Sequence, residues 1–325
     1  MRVAVIGGGV FGCTAAVELA RTGADVTLFE RQRDILMGAS RANQGRVHRG
    51  YHYPRDPHAA ELSARAAEFE ARFGGCLVKG TRQHYLVAVD SDAEVYEKFV
   101  HDAGLPWRPV ASPLVRADAV DACISVDERL VDIDRLRPVL RGELATAGVR
   151  LCPGATTDAG ARAGEYDWVV DATYGRYWPD PLRYEVCETV VVQLAERYSG
   201  QGFVVMDGEY CSLDPHGRRH MLYDVDQSVH AVNKIPDHLA GLIDRGLVYS
   251  THSRIDAMLD SARRFLHLGK TVYCGSLFTV RAVLPDDGTD ARPTLVRTDG
   301  NVIRVLAGKL AAAPWAACRV VEAVR

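Results

Sequence analysis

The chain opens on a short, continuous apolar run, Val3 to Ile6, with β-branched members. Such a run fits a parallel strand buried on both faces. Gly7-Gly8-Gly9-Val10-Phe11-Gly12 interrupts it, a helical pattern follows from Cys13 to Arg21, and Gly23 closes that helix. Asp25 to Phe29 repeats the apolar strand pattern and ends at Glu30. The first thirty residues therefore read as one βαβ unit.

Further along, Pro57 to Phe73 has helical periodicity, Gln83 to Val89 reads as a strand, and Ser91 to Gly104 as a helix with Ser91 as its N-cap. Asp132 to Ala147 is another helix. Asp167 to Gly175, "DWVVDATYG", is a buried strand running into a tight turn. The pattern then turns β-rich around Val186–Leu194, Phe203–Met206, His220–Val225 and Thr271–Val280, and no long helix separates the first of these runs. Antiparallel pairing is expected there. Asp256 to Leu268 is a helix within that part, and Gly300 to Val324 closes the chain as strand, glycine turn and helix. The pattern predicts an α/β protein: a Rossmann-like domain of GxGxxG type with an inserted, β-rich α+β substrate domain.

Composition adds limits. At 325 residues, 47% hydrophobic and 25% charged, the chain has the make-up of an ordinary globular protein. A net charge of −3 gives no global case for nucleic acid or an anionic membrane, and no run approaches the length of a spanning helix. Eight single cysteines, without CxxC or zinc spacing, read as buried apolar residues in a reducing compartment. The opening residues lack a signal-peptide cleavage pattern, so a cytoplasmic location is expected. Against this mild background, Arg41 to Asp56, "RANQGRVHRGYHYPRD", gathers four arginines and two histidines. Local cationic clusters point to sites, a solvated basic loop being the bland alternative.

The G-x-G-x-x-G triplet lies in the context that gives it meaning. Gly7 permits the tight turn, Gly9 lets backbone approach a pyrophosphate, and Gly12 lets helix and strand pack closely. The helix N-terminus faces the phosphates, and Glu30 stands where a carboxylate accepts ribose hydroxyls. A dinucleotide site follows.

With these motifs in place the chain resembles the D-amino-acid-oxidase-type superfamily of FAD-dependent oxidoreductases. That group includes glycine and sarcosine oxidases, L-2-hydroxyglutarate dehydrogenase and glycerol-3-phosphate dehydrogenase. The resemblance rests on "VAVIGGGVFGCTAAVELARTGADVTLFER", "NQGRVHRGYHYP", "VVDATYG" and "RVLAGKLAAAP". It implies FAD as the cofactor, bound by a discontinuous domain of residues 1–82, 130–184 and 282–325, with 83–129 and 185–281 as a mainly antiparallel cap. It places Gly7, Gly9, Val10, Phe11, Gly12, Glu30 and Arg31 on the nucleotide half. Ser40, Arg41, Asn43, Gln44 and Gly45 would meet the pyrophosphate, ribityl chain and ring edge. Ala172 and Thr173 belong to the second nucleotide-side strand. Gly308, Lys309 and Leu310 would lead a helix whose dipole faces the flavin pyrimidine. Leu310, Ala311 and Ala312 stand where several relatives carry hydroxyls, so backbone donors are expected there instead.

By the same match, His48, Gly50 and Tyr53 would line the flavin near the substrate, while Arg46 and Arg49 face solvent or an anionic substrate. "TVRAVLPDDGTDARPTLV" resembles the family's G-x-R-P segment imperfectly; Arg281 is the first choice for substrate anchor and Arg292 its rival. Tyr223, His220 and Tyr210 are candidates for the cavity wall. His48 and Arg281 with Tyr223 form the expected catalytic set, a purely structural or flavin-linked His48 being the alternative. The implied chemistry moves a hydride from a CH–NH or CH–OH carbon of a small polar or anionic metabolite to flavin N5. Reoxidation then falls to oxygen or an acceptor protein. A flavin-binding protein without turnover and an NAD-linked dehydrogenase are the competing readings.

Overall fold

The computed structural model describes residues 1–52, 54, 59–206, 208, 210–244, 252–285 and 292–325. Arg2–Ile6 lies between Asp25–Glu30 and Trp168–Asp171, parallel to both, which is why Val3, Ala4 and Val5 are wholly buried. The six-stranded sheet runs in the order Leu295–Asp299, Val302–Leu306, Trp168–Asp171, Arg2–Ile6, Asp25–Glu30, Arg150–Pro153. Only the Leu295–Asp299 edge is antiparallel. The end of the chain thus pairs onto the strand beside its beginning. The first helix, Val10–Arg21, packs small residues such as Ala16 against Ala316 and Ala317 of the last helix, Ala313–Ala323. Short side chains on both sides let the two backbones approach.

The second sheet has nine strands. Arg183–Gln193 is flanked along its length by Val272–Val283 on one edge, with Val229–Asn233 and Arg219–Asp224 on the other. Beyond them come Cys211–His216, Gln201–Met206, Arg82–Ala88, Val120–Val126 and Trp107–Pro109. Most pairs are antiparallel, as the pattern implies, with one correction. Gln201–Met206 runs parallel to Arg82–Ala88. The two strands are far apart in sequence, so no hairpin dictates their relative direction.

Local differences have plain causes. The helix expected from Ser91 spans Ala93–Asp102, and its N-cap is Asp92, whose Oδ1 accepts the Val95 N–H at 3.0 Å. The helix expected from Pro57 is described from Ala59 to Phe73; Pro57 lies outside the described residues. The pattern did not reveal the strand Cys211–His216, the helix Pro236–Asp244 or a two-stranded ribbon of Arg46–Val47 with Arg129–Leu130. That ribbon is short, but it brings His48 beside Glu128. No helix among the described residues is long and apolar enough to cross a membrane.

Candidate active site

A cavity opens at the carboxyl end of the first sheet, lined by Gly7, Gly9, Val10 and Phe11 at the start of the first helix. Its shape is made by backbone. Gly7 has a φ of 103°, and a Cβ there would come within 2.5 Å of the Ala172 carbonyl oxygen. A Cβ on Gly12 would run into the Gly7 carbonyl, so Gly12 serves packing and does not line the cavity. A Cβ on Gly9 would meet only the Ser40 Oγ, at 3.5 Å. Gly9 is also the helix N-cap, with no side-chain cap of its own and no acidic residue in the first turn. An open helix N-terminus facing a cavity is a ready anion site.

Glu30 lines the same cavity while 8% exposed. Its Oε2 accepts the Gly8 N–H at 2.6 Å and its Oε1 the Gln32 N–H at 2.7 Å. The backbone thus fixes the carboxylate, and lone pairs remain for ribose hydroxyls. Arg31, Ser40, Asn43, Ala172, Thr173, Gly308 and Leu310 also line the cavity. Ser40 Oγ accepts the Val10 N–H at 3.3 Å, which ties the following segment to the helix start. The donor set and the open glycine fit a pyrophosphate and ribose.

Several expected residues lie elsewhere. Arg41 is exposed and does not line the cavity. Gln44 turns its amide to the second sheet, donating to the Ser212 and Met221 carbonyls at 3.3 and 3.2 Å. Gly45, at φ 77°, is required by the crossing of Val131, whose carbonyl a Cβ would strike. Gly308 has a similar cause, because a Cβ there would collide with the Arg292 carbonyl. Lys309 is buried, at 7% exposure. It N-caps the turn Leu310–Ala312 that leads into the last helix. Tyr53 lies outside the described residues.

The second sheet turns one face to this cradle, as the bond from Thr189 Oγ1 to the Ala42 carbonyl, 3.0 Å, shows. Glu185, Cys187 and Thr189 alternate onto that face. Arg281 is the direct cross-strand partner of Glu185. Its Nε donates to Glu185 Oε2 at 3.0 Å, a second bond from Nη2 reaches the same oxygen, and Nη1 donates to Tyr223 Oη at 2.8 Å. Arg281 and Tyr223 therefore come together, but the guanidinium is already compensated. Burial pushes the Tyr223 and Tyr174 phenols up, while Arg281 and Arg292 oppose the rise. Tyr174 sits at a left-handed φ of 62° and lines the cavity, so it joins the cofactor side to this cluster.

His220 and Tyr210 are not on that face. Strand alternation turns His220 to the opposite side, where its Nε2 lies 3.0 Å from the Tyr198 carbonyl. Tyr210 bonds Asp90 and packs on Phe265. Arg46 does not face solvent. It is 5% exposed, paired with Asp214, with its Nε 3.5 Å from Glu128 Oε1. Arg49 pairs with Glu70 at 2.8 Å. For Arg46 the reason is burial: a guanidinium enclosed with Asp214 and Glu128 is held by those carboxylates in place of water.

His48 is largely enclosed, its Nδ1 3.6 Å from Glu128 Oε1 and its ring 5.7 Å from that of His52. Burial, then Lys309, Arg46, His52 and Arg292, hold its imidazole well below the ordinary range, so it is neutral at neutral pH. Glu128, 3% exposed, is pushed up to about 7 by burial despite Arg46, the Arg49 N–H and Tyr85. Glu128, Asp214, Glu185, Tyr85 and Tyr174 had escaped sequence reasoning. The available signal was a charged residue inside an apolar strand run, as in "RYEVCETVVVQ", since such a charge demands a partner.

A parallel sheet with a glycine-built helix start, facing a cavity at its carboxyl end, is the architecture of a dinucleotide-binding protein. Comparison then supplies the particular family: residues 2–303 match the model of the FAD dependent oxidoreductase family, to which the chain belongs. Its cofactor is FAD. Among curated proteins it is similar to the FAD-dependent monooxygenase kojA of Aspergillus flavus, 30% identical over 258 residues. That match takes in 66% of this chain and 58% of the relative, so the chain spans under two thirds of that relative's length. Glycine oxidase from Geobacillus kaustophilus has the same fold, with a TM-score of 0.66 at 18% identity, covering 99% of this chain and 95% of the other. So has the FAD-bound L-α-glycerophosphate oxidase from Mycoplasma pneumoniae, with a TM-score of 0.70 at 16% identity, covering 99% and 94%. Among the described residues no group of His, Cys, Asp and Glu could hold a metal ion.

Proposed function

We propose that this FAD-dependent oxidoreductase oxidises a CH–OH or CH–NH carbon of a small polar or anionic metabolite to a carbonyl or imine. The flavin supplies a hydride acceptor at N5 when bound. Residues 1–82, 130–184 and 282–325 hold it in this reading, and 83–129 with 185–281 form the cap that shuts out water. Gly9, the open helix start and Glu30 bind the nucleotide half, and buried Lys309 adds positive potential where reduction places negative charge. His48 takes the proton from the substrate heteroatom, and Arg281 with Tyr223 orients the substrate.

One observation carries this reading: an imidazole kept neutral by burial and by Lys309, Arg46, His52 and Arg292 follows directly on the segment that crosses the cofactor cradle. A neutral imidazole is the form able to accept a proton. The test is anaerobic mixing of the FAD-loaded protein with D- and L-amino acids, amines, 2-hydroxy acids and sugar phosphates. Bleaching of the flavin by one class supports the proposal and names the substrate. The name of the fungal relative favours one rival, monooxygenation. In that case no substrate bleaches the flavin alone, and reduction needs an external reduced nicotinamide before oxygen is consumed.

A further inference from the structure

We propose that Glu128 carries the single proton of the His48–Glu128 pair at rest, and that it is the positioning residue that governs when the imidazole can accept one. Its part in turnover rests on the reading of His48 just given; the titration of the pair does not. The ribbon explains the juxtaposition. Val47 pairs with Arg129, so the residues flanking that pair, His48 and Glu128, lie side by side although 80 positions apart.

Glu128 is fixed at both oxygens. Oε2 accepts the Arg49 N–H at 3.1 Å, and Oε1 accepts the Tyr85 hydroxyl at 2.9 Å. The same Oε1 lies 3.5 Å from Arg46 Nε and 3.6 Å from His48 Nδ1. Arg46 is at the same time the ion-pair partner of Asp214. Two enclosed carboxylates therefore face one guanidinium, which by itself cannot neutralise both when all three are ionised. A buried net charge is costly, and a proton on Glu128 or on His48 removes it. Lys309, Arg292, His52 and Arg46 press on His48 and disfavour the imidazolium, so at rest the proton sits on the Glu128 side.

Burial drives the same way, raising Glu128 to about 7 and lowering His48. Such a pair titrates as a unit. Above that titration Glu128 is ionised, and the proton leaving a substrate O–H or N–H passes to the imidazole, held as imidazolium against Oε1. The substrate's electrons leave separately with the hydride. Below the titration the pair already holds its proton, and a second would restore an unpaired charge.

The experiment is nitrogen-15 NMR of the histidines in the FAD-loaded protein across pH, for the native chain and for Glu128→Gln. The native His48 should show a response centred near the Glu128 titration at about pH 7. Glu128→Gln should abolish it and leave a neutral imidazole throughout. Tyr85→Phe removes a bond that favours the ionised carboxylate, so it should move the midpoint upward, and it decides the matter should Glu128→Gln not fold. An unchanged His48 titration in either variant, with FAD retained, overturns the proposal. No substrate is needed. A substrate screen without bleaching would thus leave this result readable, and an unaltered titration would leave the oxidoreductase reading intact.

Discussion

The cradle at the end of the first sheet and the charged clusters on the second sheet are built from different materials. On the cofactor side the contacts are backbone: the Gly8 and Gln32 N–H groups on Glu30, the uncapped N-terminus at Gly9, and the carbonyls that Gly7, Gly12, Gly45 and Gly308 let pass. Against the second sheet they are side chains: Arg46 with Asp214 and Glu128, and Arg281 with Glu185 and Tyr223. The first tolerates almost no change of shape. The second stakes its stability on paired charges, so a change there alters protonation more than form. On the proposed roles, binding of cofactor and chemistry on substrate should be separable by mutation.

Three substitutions sharpen that contrast. The largest effect is expected from Gly12→Ala, whose Cβ strikes the Gly7 carbonyl; backbone cannot yield there as a flexible side chain would. We expect a protein that is colourless or insoluble, destabilised by roughly 3 kcal/mol or more. Normal yellow protein with an unchanged melting temperature would refute the backbone account. Asp214→Ala comes next. It strips the buried Arg46 of its first partner and should cost about 3–5 kcal/mol. Denaturant unfolding measures this, and removal of both charges together, Arg46→Met with Asp214→Leu, should cost less than the single change. The smallest effect is that of Glu30→Ala. Losing the ribose acceptor together with two backbone bonds should weaken FAD retention by about tenfold, or about 1.4 kcal/mol. Full flavin occupancy after dialysis would remove Glu30 from the ribose.

The same contrast explains what could be read in advance. The cofactor side was legible because its signals are local: a strand, three glycines, a helix and a terminal acid within thirty residues, each with one geometric reason. Even so, one reason appears only in the fold: Gly308 and Gly45 also let backbone cross at Arg292–Pro293 and Val131. The charged clusters were poorly legible, because Glu128 meets His48, and Asp214 meets Arg46, only through long-range pairing that no spacing encodes. Arg46 shows the cost. A basic residue in a basic run reads as exposed, and only the fold shows two carboxylates waiting for it. His220 and Tyr223 differ by three positions on one strand, so strand parity decides which faces the cradle; the register was not available from sequence.

His48→Ala tests the central separation most directly, with FAD occupancy and the anaerobic rate of flavin reduction measured on the same preparation. We predict unchanged occupancy and reduction slowed by about 10²- to 10⁴-fold, the range for loss of a positioned proton acceptor. Reduction at the native rate, or loss of the flavin along with the imidazole, would contradict the proposed division between a backbone cradle that holds the cofactor and side chains that do the chemistry.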